Sequence, residues 1–236
     1  MRLFVLFALL ASSCSGVETN QSAAPSQAAA QPSVPSNARP SPLVPSLRSD
    51  VAAAYGELES TYGEIWPEAF ARALSGARDE WNRRVDRCGD DPCRIALLQD
   101  QVNRARYAVG RNDRPVEGMR WDRGAFTFDE AGIDGSLAIL PIIDDRVLVV
   151  GGSSQSPDAR WVCELYAEGR SGPGAAFEVT TLDELRQNYR LERLSPRRLR
   201  LTYLLDRTDP NCGLNGTLTG TYRLSPRPDG PATSTH

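Results

Sequence analysis

The sequence predicts an α+β protein in which a helical hairpin or three-helix unit precedes a small antiparallel β-sandwich or barrel. Apolar residues recur every three or four positions across residues 49–112, which is the period of helices that bury one face. From residue 116 to 226 the chain changes to seven short runs of β-branched and aromatic residues, separated by Gly, Pro, Asp and Ser, which is typical of strands. Segments of low apolar content flank these two regions.

The N-terminus, residues 1–14, has the pattern of an export signal. A single Arg precedes an apolar run from Leu3 to Ala11, which has the length of a signal peptide and is too short to span a bilayer. Small residues then lead into Cys14, an order that resembles a bacterial lipoprotein box with a lipidated cysteine; ordinary signal-peptidase cleavage nearby is the alternative. Because Ser15 follows, the sorting pattern implies an outer-membrane lipoprotein facing the periplasm, whereas an unlipidated chain would be soluble there.

Two segments have too few apolar side chains to fold by themselves. Residues 15–48 consist mainly of Ser, Ala, Pro and Gln, and residues 227–236 form a polar tail. Such segments cannot bury enough apolar surface to offset the entropy that is lost on ordering. We therefore predict a disordered tether after Cys14 and a disordered tail.

Three apolar stripes predict three helices. The first has Ser49 as its N-cap and ends before Pro67, the second stops at Gly89, and the third begins with Asp91 as N-cap followed by Pro92. The stripes comprise Val51, Tyr55, Leu58, Tyr62 and Ile65; then Phe70, Leu74, Ala77, Trp81, Val85 and Cys88; and then Ile95, Leu98, Val102, Ala105 and Val109.

The β region is predicted to consist of short strands, and one of them has the pattern of a strand with one exposed face. In the run RRLRLTYLL, residues 197–205, apolar and polar side chains alternate, which indicates a strand with one face in water. The segment TLDELRQNY, residues 181–189, predicts a short helix or a turn between strands, and the pair Asp144 and Asp145 predicts a hairpin turn.

Composition excludes several kinds of chemistry. The one histidine is His236 in the predicted tail, and all 27 basic residues are Arg, so neither an imidazole nor a lysine is available to the folded region. The net charge of −3 gives no basis for binding nucleic acid. The adjacent Asp90 and Asp91 are typical of a turn and a helix cap rather than of a catalytic pair. The sequence therefore predicts a protein that is not an enzyme and that uses neither a cofactor nor a metal.

Four cysteines remain once Cys14 is assigned to the lipid. In an oxidising compartment an even number suggests two disulfides, and four cysteines allow three pairings. Proximity in sequence favours Cys88 with Cys93 and Cys163 with Cys212. A zinc site that uses all four is the alternative, although such sites usually consist of two closely spaced pairs.

The segment ARDEWNRRVDRCGDDPCR, residues 77–94, resembles the LprI-like lysozyme inhibitor family, formerly a domain of unknown function. Trp81, Asp86, Cys88 and Cys93 occur in the order that is found in that family. The resemblance covers residues 49–112 and implies a helical domain in which these four residues are structural, followed by a separate β domain.

The resemblance also implies the function. We expect a non-enzymatic envelope lipoprotein that binds a lysozyme-type muralytic enzyme; a structural or accessory protein that binds another envelope component is the alternative. The predicted first helix offers an acidic face that would attract a basic partner, although a solvated helix surface explains the same residues. These acids are Asp50, Glu57, Glu59 and Glu64 in the predicted helix and Glu68 just after it.

Overall fold

The computed structural model describes residues 41–62, 66–155, 162–205, 209–212 and 216–227. In this part of the chain, three helices precede eight strands. The predicted signal peptide, Cys14 and most of the predicted tether and tail lie outside it. The helices are α1 (Leu43–Tyr62), α2 (Glu68–Asp86) and α3 (Asp91–Ala108), and the strands are β1 (Ala125–Phe128), β2 (Ile133–Ile143), β3 (Arg146–Gln155), β4 (Val162–Arg170), β5 (Ala176–Thr181), β6 (Asn188–Ser195), β7 (Arg198–Tyr203) and β8 (Gly220–Leu224).

Helix α1 begins at Leu43, so the predicted start at Ser49 is wrong, and residues 43–48 are helical rather than part of a tether. Just before the helix, the Ser41 hydroxyl accepts a hydrogen bond from the Leu43 N–H at 3.3 Å. Pro45 lies in the first turn, where a backbone N–H has no partner within the helix, so this proline is compatible with helix.

Helices α2 and α3 follow the predicted stripes, but the cap between them is shifted by one residue. Asp90, not Asp91, is the N-cap of α3, and its carboxylate accepts a hydrogen bond from the Cys93 N–H at 3.0 Å. The Asp91 carboxylate instead accepts from the Ser41 N–H at 2.5 Å and from Arg94 at 2.8 Å. Asp91 therefore joins the start of α3 to the start of α1.

The strands form a closed antiparallel barrel, which decides between the predicted sandwich and barrel. Each strand pairs with the next in the chain, and β1 also pairs with β8. The hairpin turn at Asp144 and Asp145 is confirmed, since Ile143 pairs with Arg146 across it. Strand β6 is missing from the predicted runs because Tyr189 and Leu191 are its only fully buried residues and its register shifts near the end.

Two apolar cores hold this architecture. One fills the barrel with side chains from all eight strands and from Trp121, including Phe126, Leu137, Val149 and Tyr222. The other lies between the helices and the outer face of β2 and β3; it comprises Ala54, Tyr55, Leu58, Phe70, Leu74, Ala77, Ala105, Ala108, Val109, Ala138, Leu140, Ile142, Leu148 and Val150. The helices and the barrel, predicted as separate domains 49–112 and 116–226, therefore belong to one compact unit.

Candidate functional site

The outer face of β2 and β3 changes in composition along the strands. Where the helices cover it, the cross-strand pairs are apolar, as in Ala138 with Val150. The next pair on this face, towards the start of β2 and the end of β3, is Ser136 with Gly152. The pair after it is Asp134 with Ser154. These last residues are exposed or half-buried, so the sheet emerges from under the helices with a small and polar surface.

This uncovered face forms the floor of a groove of about 680 Å³. The end of α1, including Tyr62, forms one wall, and β4 contributes Val162, Glu164 and Tyr166. The floor is low because Gly152 has no side chain and because Ser136 on β2 and Ser154 on β3, two of its neighbours on this face, are small. A partner can therefore approach the strand backbone closely.

A second groove of about 460 Å³ adjoins the first and shares Val162, Glu164 and Tyr166 with it. It lies beside the part of β4 that precedes Ala167. Strand β5 does not pair with this part, because it pairs with β4 only at Ala167–Gly169. Its other described lining residues are Pro67, Ala69, Leu182, Asp183 and Asn211. We call the two grooves together the acidic groove.

The charged side chains among the described residues of the acidic groove are all negative. Asp134, Glu164 and Asp183 are exposed, and the described residues that line the two grooves include no arginine. Val162, which both grooves share, keeps 56% of its surface exposed. The surface thus combines an apolar contact point with three carboxylates that form no ion pair with the other described residues, although Asp183 accepts hydrogen bonds from the Leu185 and Arg186 N–H groups.

Two tyrosines fix the walls of the acidic groove. The Tyr62 hydroxyl donates to the Ala108 carbonyl at 2.8 Å, and the Tyr166 ring packs edge-on against Phe70 with ring centres 5.4 Å apart. Burial raises the pKa of Tyr62, and burial together with the charge of Glu164 raises the pKa of Tyr166. The hydrogen bond of Tyr62 and the ring contact of Tyr166 hold the two side chains in place.

The Cys163–Cys212 disulfide supports the floor of this site. Cys163 is fully buried and lines the first groove, and its bond to Cys212 attaches residues 209–212 alongside the start of β4. The Glu164 N–H donates to the Asn211 carbonyl at 3.2 Å in the same segment. The backbone that carries the Glu164 carboxylate is therefore restrained by a covalent link and a hydrogen bond.

The four residues of the family resemblance lie away from the acidic groove lining and have structural contacts. Trp81 is buried, and its Nε1–H donates to the Ile142 carbonyl of β2 at 2.6 Å. Asp86 forms an ion pair with Arg48 of α1 at 3.3 Å. Cys88 and Cys93 are bonded at the turn between α2 and α3. Together these contacts connect α2 to the barrel and to the other two helices.

The other acidic residues that the sequence singles out are engaged in ion pairs or lie apart. Asp144 receives two hydrogen bonds of 2.9 Å from Arg84, which lower the pKa of this carboxyl. Of the predicted acidic helix face, Glu57 pairs with Arg111 and Glu68 with Arg72, while Glu64 lies outside the described residues. The helix face is thus partly neutralised.

Every carboxyl group in the described residues with a resolved shift has a lowered pKa. Hydrogen bonds from arginine side chains cause the shift at Glu80, Asp129 and Asp144, and a hydrogen bond from the Ser41 backbone is the largest cause at Asp91. A general acid that works near neutral pH needs a raised pKa. None of these four carboxyls is therefore a candidate for that role.

Sequence reasoning missed the acidic groove because its residues come from separate segments. A local signal exists in β3, where the apolar run VLVV is followed directly by GGSS. This change of composition at residue 151 marks the point where the helices no longer cover the strand. The charges do not form such a pattern, since Asp134, Glu164 and Asp183 belong to three different parts of the chain.

Comparison of the chain with models of protein families, with curated proteins and with solved structures finds no match. Within the described residues, none of the helices has the length and apolar content needed to cross a bilayer. The same residues contain no group of three or more His, Cys, Asp or Glu side chains placed to bind a metal.

Proposed function

We propose that the protein is a non-enzymatic binding protein of the bacterial envelope that blocks a lysozyme-type muralytic enzyme, and that the acidic groove is its binding face. The observation that carries this proposal is the arginine-free described lining of a concave surface with Asp134, Glu164 and Asp183 exposed on it. The resemblance at Trp81 and Cys88 to the LprI-like lysozyme inhibitor family supports the class of partner.

Charge complementarity supports a basic partner. The chain contains 27 arginines, yet the described lining of the groove includes none of them. Muralytic enzymes of the lysozyme type are commonly basic, so an acidic surface would attract them over distances of about a Debye length. Such attraction mainly raises the rate of association and selects against acidic partners.

The shape of the groove supports binding of a loop rather than of a small molecule. Its floor at Ser136, Gly152 and Ser154 is open and lacks large side chains. An extended loop of the enzyme would lie along this floor, with an apolar side chain against Val162 and basic side chains against the three carboxylates. Small-molecule sites, in contrast, are usually enclosed and apolar.

The two disulfides support the proposed location. Structural disulfides persist in oxidising compartments such as the periplasm. We propose that the chain is exported and that a lipid on Cys14 holds it at the outer membrane, facing the periplasm. There it would meet muralytic enzymes that reach the cell wall.

An inhibition assay with charge-reversal variants tests the proposal. Purified protein is titrated into a basic lysozyme and a bacterial muralytic enzyme, and the rate of cell-wall lysis is measured at low and at physiological salt. We expect inhibition that weakens with salt, and an inhibition constant about tenfold higher for the combined Asp134→Arg, Glu164→Arg and Asp183→Arg variant. The matched control is Glu184→Arg, an exposed acid that does not line either groove.

Unchanged lysis at a large molar excess of the protein would reject the inhibitor role. Equal inhibition by the wild type and the triple variant would instead reject the acidic groove as the binding face. A third outcome would favour the accessory role over the inhibitor role. In that outcome lysis is unaffected, and the wild type forms a stable complex with a purified envelope protein whereas the triple variant does not.

A further inference from the structure

Three arginines from separate parts of the chain meet at one end of the barrel. Arg123 precedes β1, Arg197 lies in the turn between β6 and β7, and Arg227 follows β8. Backbone hydrogen bonds bring these segments together, since the Leu224 N–H donates to the Arg197 carbonyl at 2.8 Å and the Ser225 N–H to the Ala125 carbonyl at 2.9 Å. We call these three residues the arginine cluster.

Arg123 is the unusual member of the arginine cluster. It is 8% exposed, and its Nη1 is buried without a hydrogen-bond partner. Arg104, which is buried to a similar degree, donates to Asp100 at 2.9 Å and to the Asp144 carbonyl at 3.2 Å. A buried guanidinium normally has such partners, because an unpaired buried charge is costly.

The surroundings of Arg123 add positive charge instead of neutralising it. Burial lowers the pKa of Arg123, the nearby charge of Arg227 lowers it further, and Arg197 acts in the same direction. Asp122 opposes this effect but is exposed and forms no ion pair with Arg123. The next acid along the chain, Asp129, is already bound by Arg198 and Arg223.

We propose that the arginine cluster is a binding site for a phosphate group. Guanidinium groups donate in a fixed planar fork that matches the oxygens of phosphate, and a doubly charged anion would offset the excess positive charge. Arg197 and Arg227 are exposed and form no ion pair with the other described residues, whereas Arg123 is buried next to the start of β1. This site does not depend on the acidic groove or on lysozyme binding.

The test measures the response of the purified protein to inorganic phosphate. We expect phosphate to raise the melting temperature of the wild type above its value in chloride at the same pH and ionic strength. In Arg123→Gln we expect the response to disappear and phosphate affinity by calorimetry to fall about tenfold, as for the loss of one charge-assisted hydrogen bond. Without phosphate, this variant should be at least as stable as the wild type, because an unpaired buried charge has been removed.

The control is Arg190→Gln, an exposed arginine on β6 outside the cluster, which should keep the full phosphate response. If Arg123→Gln fails to fold, Arg197→Gln and Arg227→Gln replace exposed side chains and should each weaken phosphate binding several-fold. The proposal is overturned if phosphate and chloride act alike on the wild type, or if the cluster variants and Arg190→Gln respond equally.

A second arm separates a soluble phosphate compound from a lipid headgroup. Unlipidated protein is sedimented with vesicles of phosphatidylglycerol or of phosphatidylcholine. Binding to the anionic vesicles alone, with loss in Arg123→Gln, supports a lipid phosphate. Binding of inorganic phosphate without vesicle binding supports a soluble phosphate compound. Absence of both kinds of binding overturns the site.

Discussion

The two halves of the outer face of β2 and β3 are stabilised in different ways. In the covered half, side chains such as Leu140 and Leu148 belong to one continuous apolar core with residues of all three helices. In the open half, the face is small and polar, and the structure is held by the Cys163–Cys212 disulfide and by polar contacts. Beneath this half, on the inner face of β3, the buried Ser153 hydroxyl donates to the Thr217 carbonyl at 2.6 Å.

In this hairpin the same two strands contribute to the core and to the proposed binding face. Strand β2 alternates between half-buried and exposed positions at its start and is buried on both faces from Leu137 onwards. Where it borders the groove, β2 therefore has the pattern of a sheet with one face in water. Under the helices it has the pattern of a sheet that is buried on both faces.

The largest expected effect comes from breaking the covered half. Trp81→Ala removes the packing of a large buried side chain and leaves the Ile142 carbonyl without its donor, so the free energy of unfolding should fall by about 5 kcal/mol. Chemical denaturation measures this value. In the open half, the comparison variant Ser154→Ala should change the free energy by less than about 0.5 kcal/mol. Similar losses in the two variants would contradict the division into halves.

A smaller effect is expected from removing each disulfide. The Cys163–Cys212 bond joins residues 49 apart and the Cys88–Cys93 bond residues 5 apart, so the first restricts the unfolded chain more. Replacing both cysteines with alanine should cost about 4 kcal/mol for the long connection and about 2 kcal/mol for the short one. Thermal unfolding of the two double variants measures the difference, and a larger loss for the helical hairpin would reverse the comparison.

The smallest effect concerns Asp129, which follows β1 and accepts hydrogen bonds from Arg198 of β7 and Arg223 of β8. These bonds lower the folded-state pKa of Asp129, so its stabilising contribution is complete above the unfolded pKa of about 4 and is lost as the pH falls through the lower folded value. In Asp129→Asn the free energy of unfolding should therefore fall less steeply below about pH 4 than it does in the wild type. Exposed Glu130→Gln is the matched control, and identical acid unfolding of the two variants would contradict this assignment.

Local patterns were sufficient to predict much of the fold. The apolar stripes of α2 and α3 and the proximity of the cysteines predict elements and pairings that the structure contains. The start of α1 was wrong because the prolines near residue 43 indicate a tether unless their place in the first turn is known. The choice between sandwich and barrel could not be made, because it depends on β1 pairing with β8, about 100 residues away.

The candidate sites depend on contacts that no local pattern contains. The acidic groove exists because the helices stop part-way along β2 and β3, and the length of that cover is a tertiary property. The arginine cluster combines residues that precede β1, follow β6 and follow β8, and only barrel closure brings them together. In a chain with 27 arginines, sequence alone gives no reason to select Arg123.

The incomplete pairing of β5 with β4 has a consequence for solubility. Residues 209–212 lie where β5 no longer follows β4, and the Cys163–Cys212 bond keeps them there as a cover over that edge. If the bond were reduced, the first residues of β4 would expose unpaired backbone groups able to recruit a strand from another chain. Oxidative folding of this protein would then protect against aggregation, and a reducing environment would convert the barrel into a template for assembly.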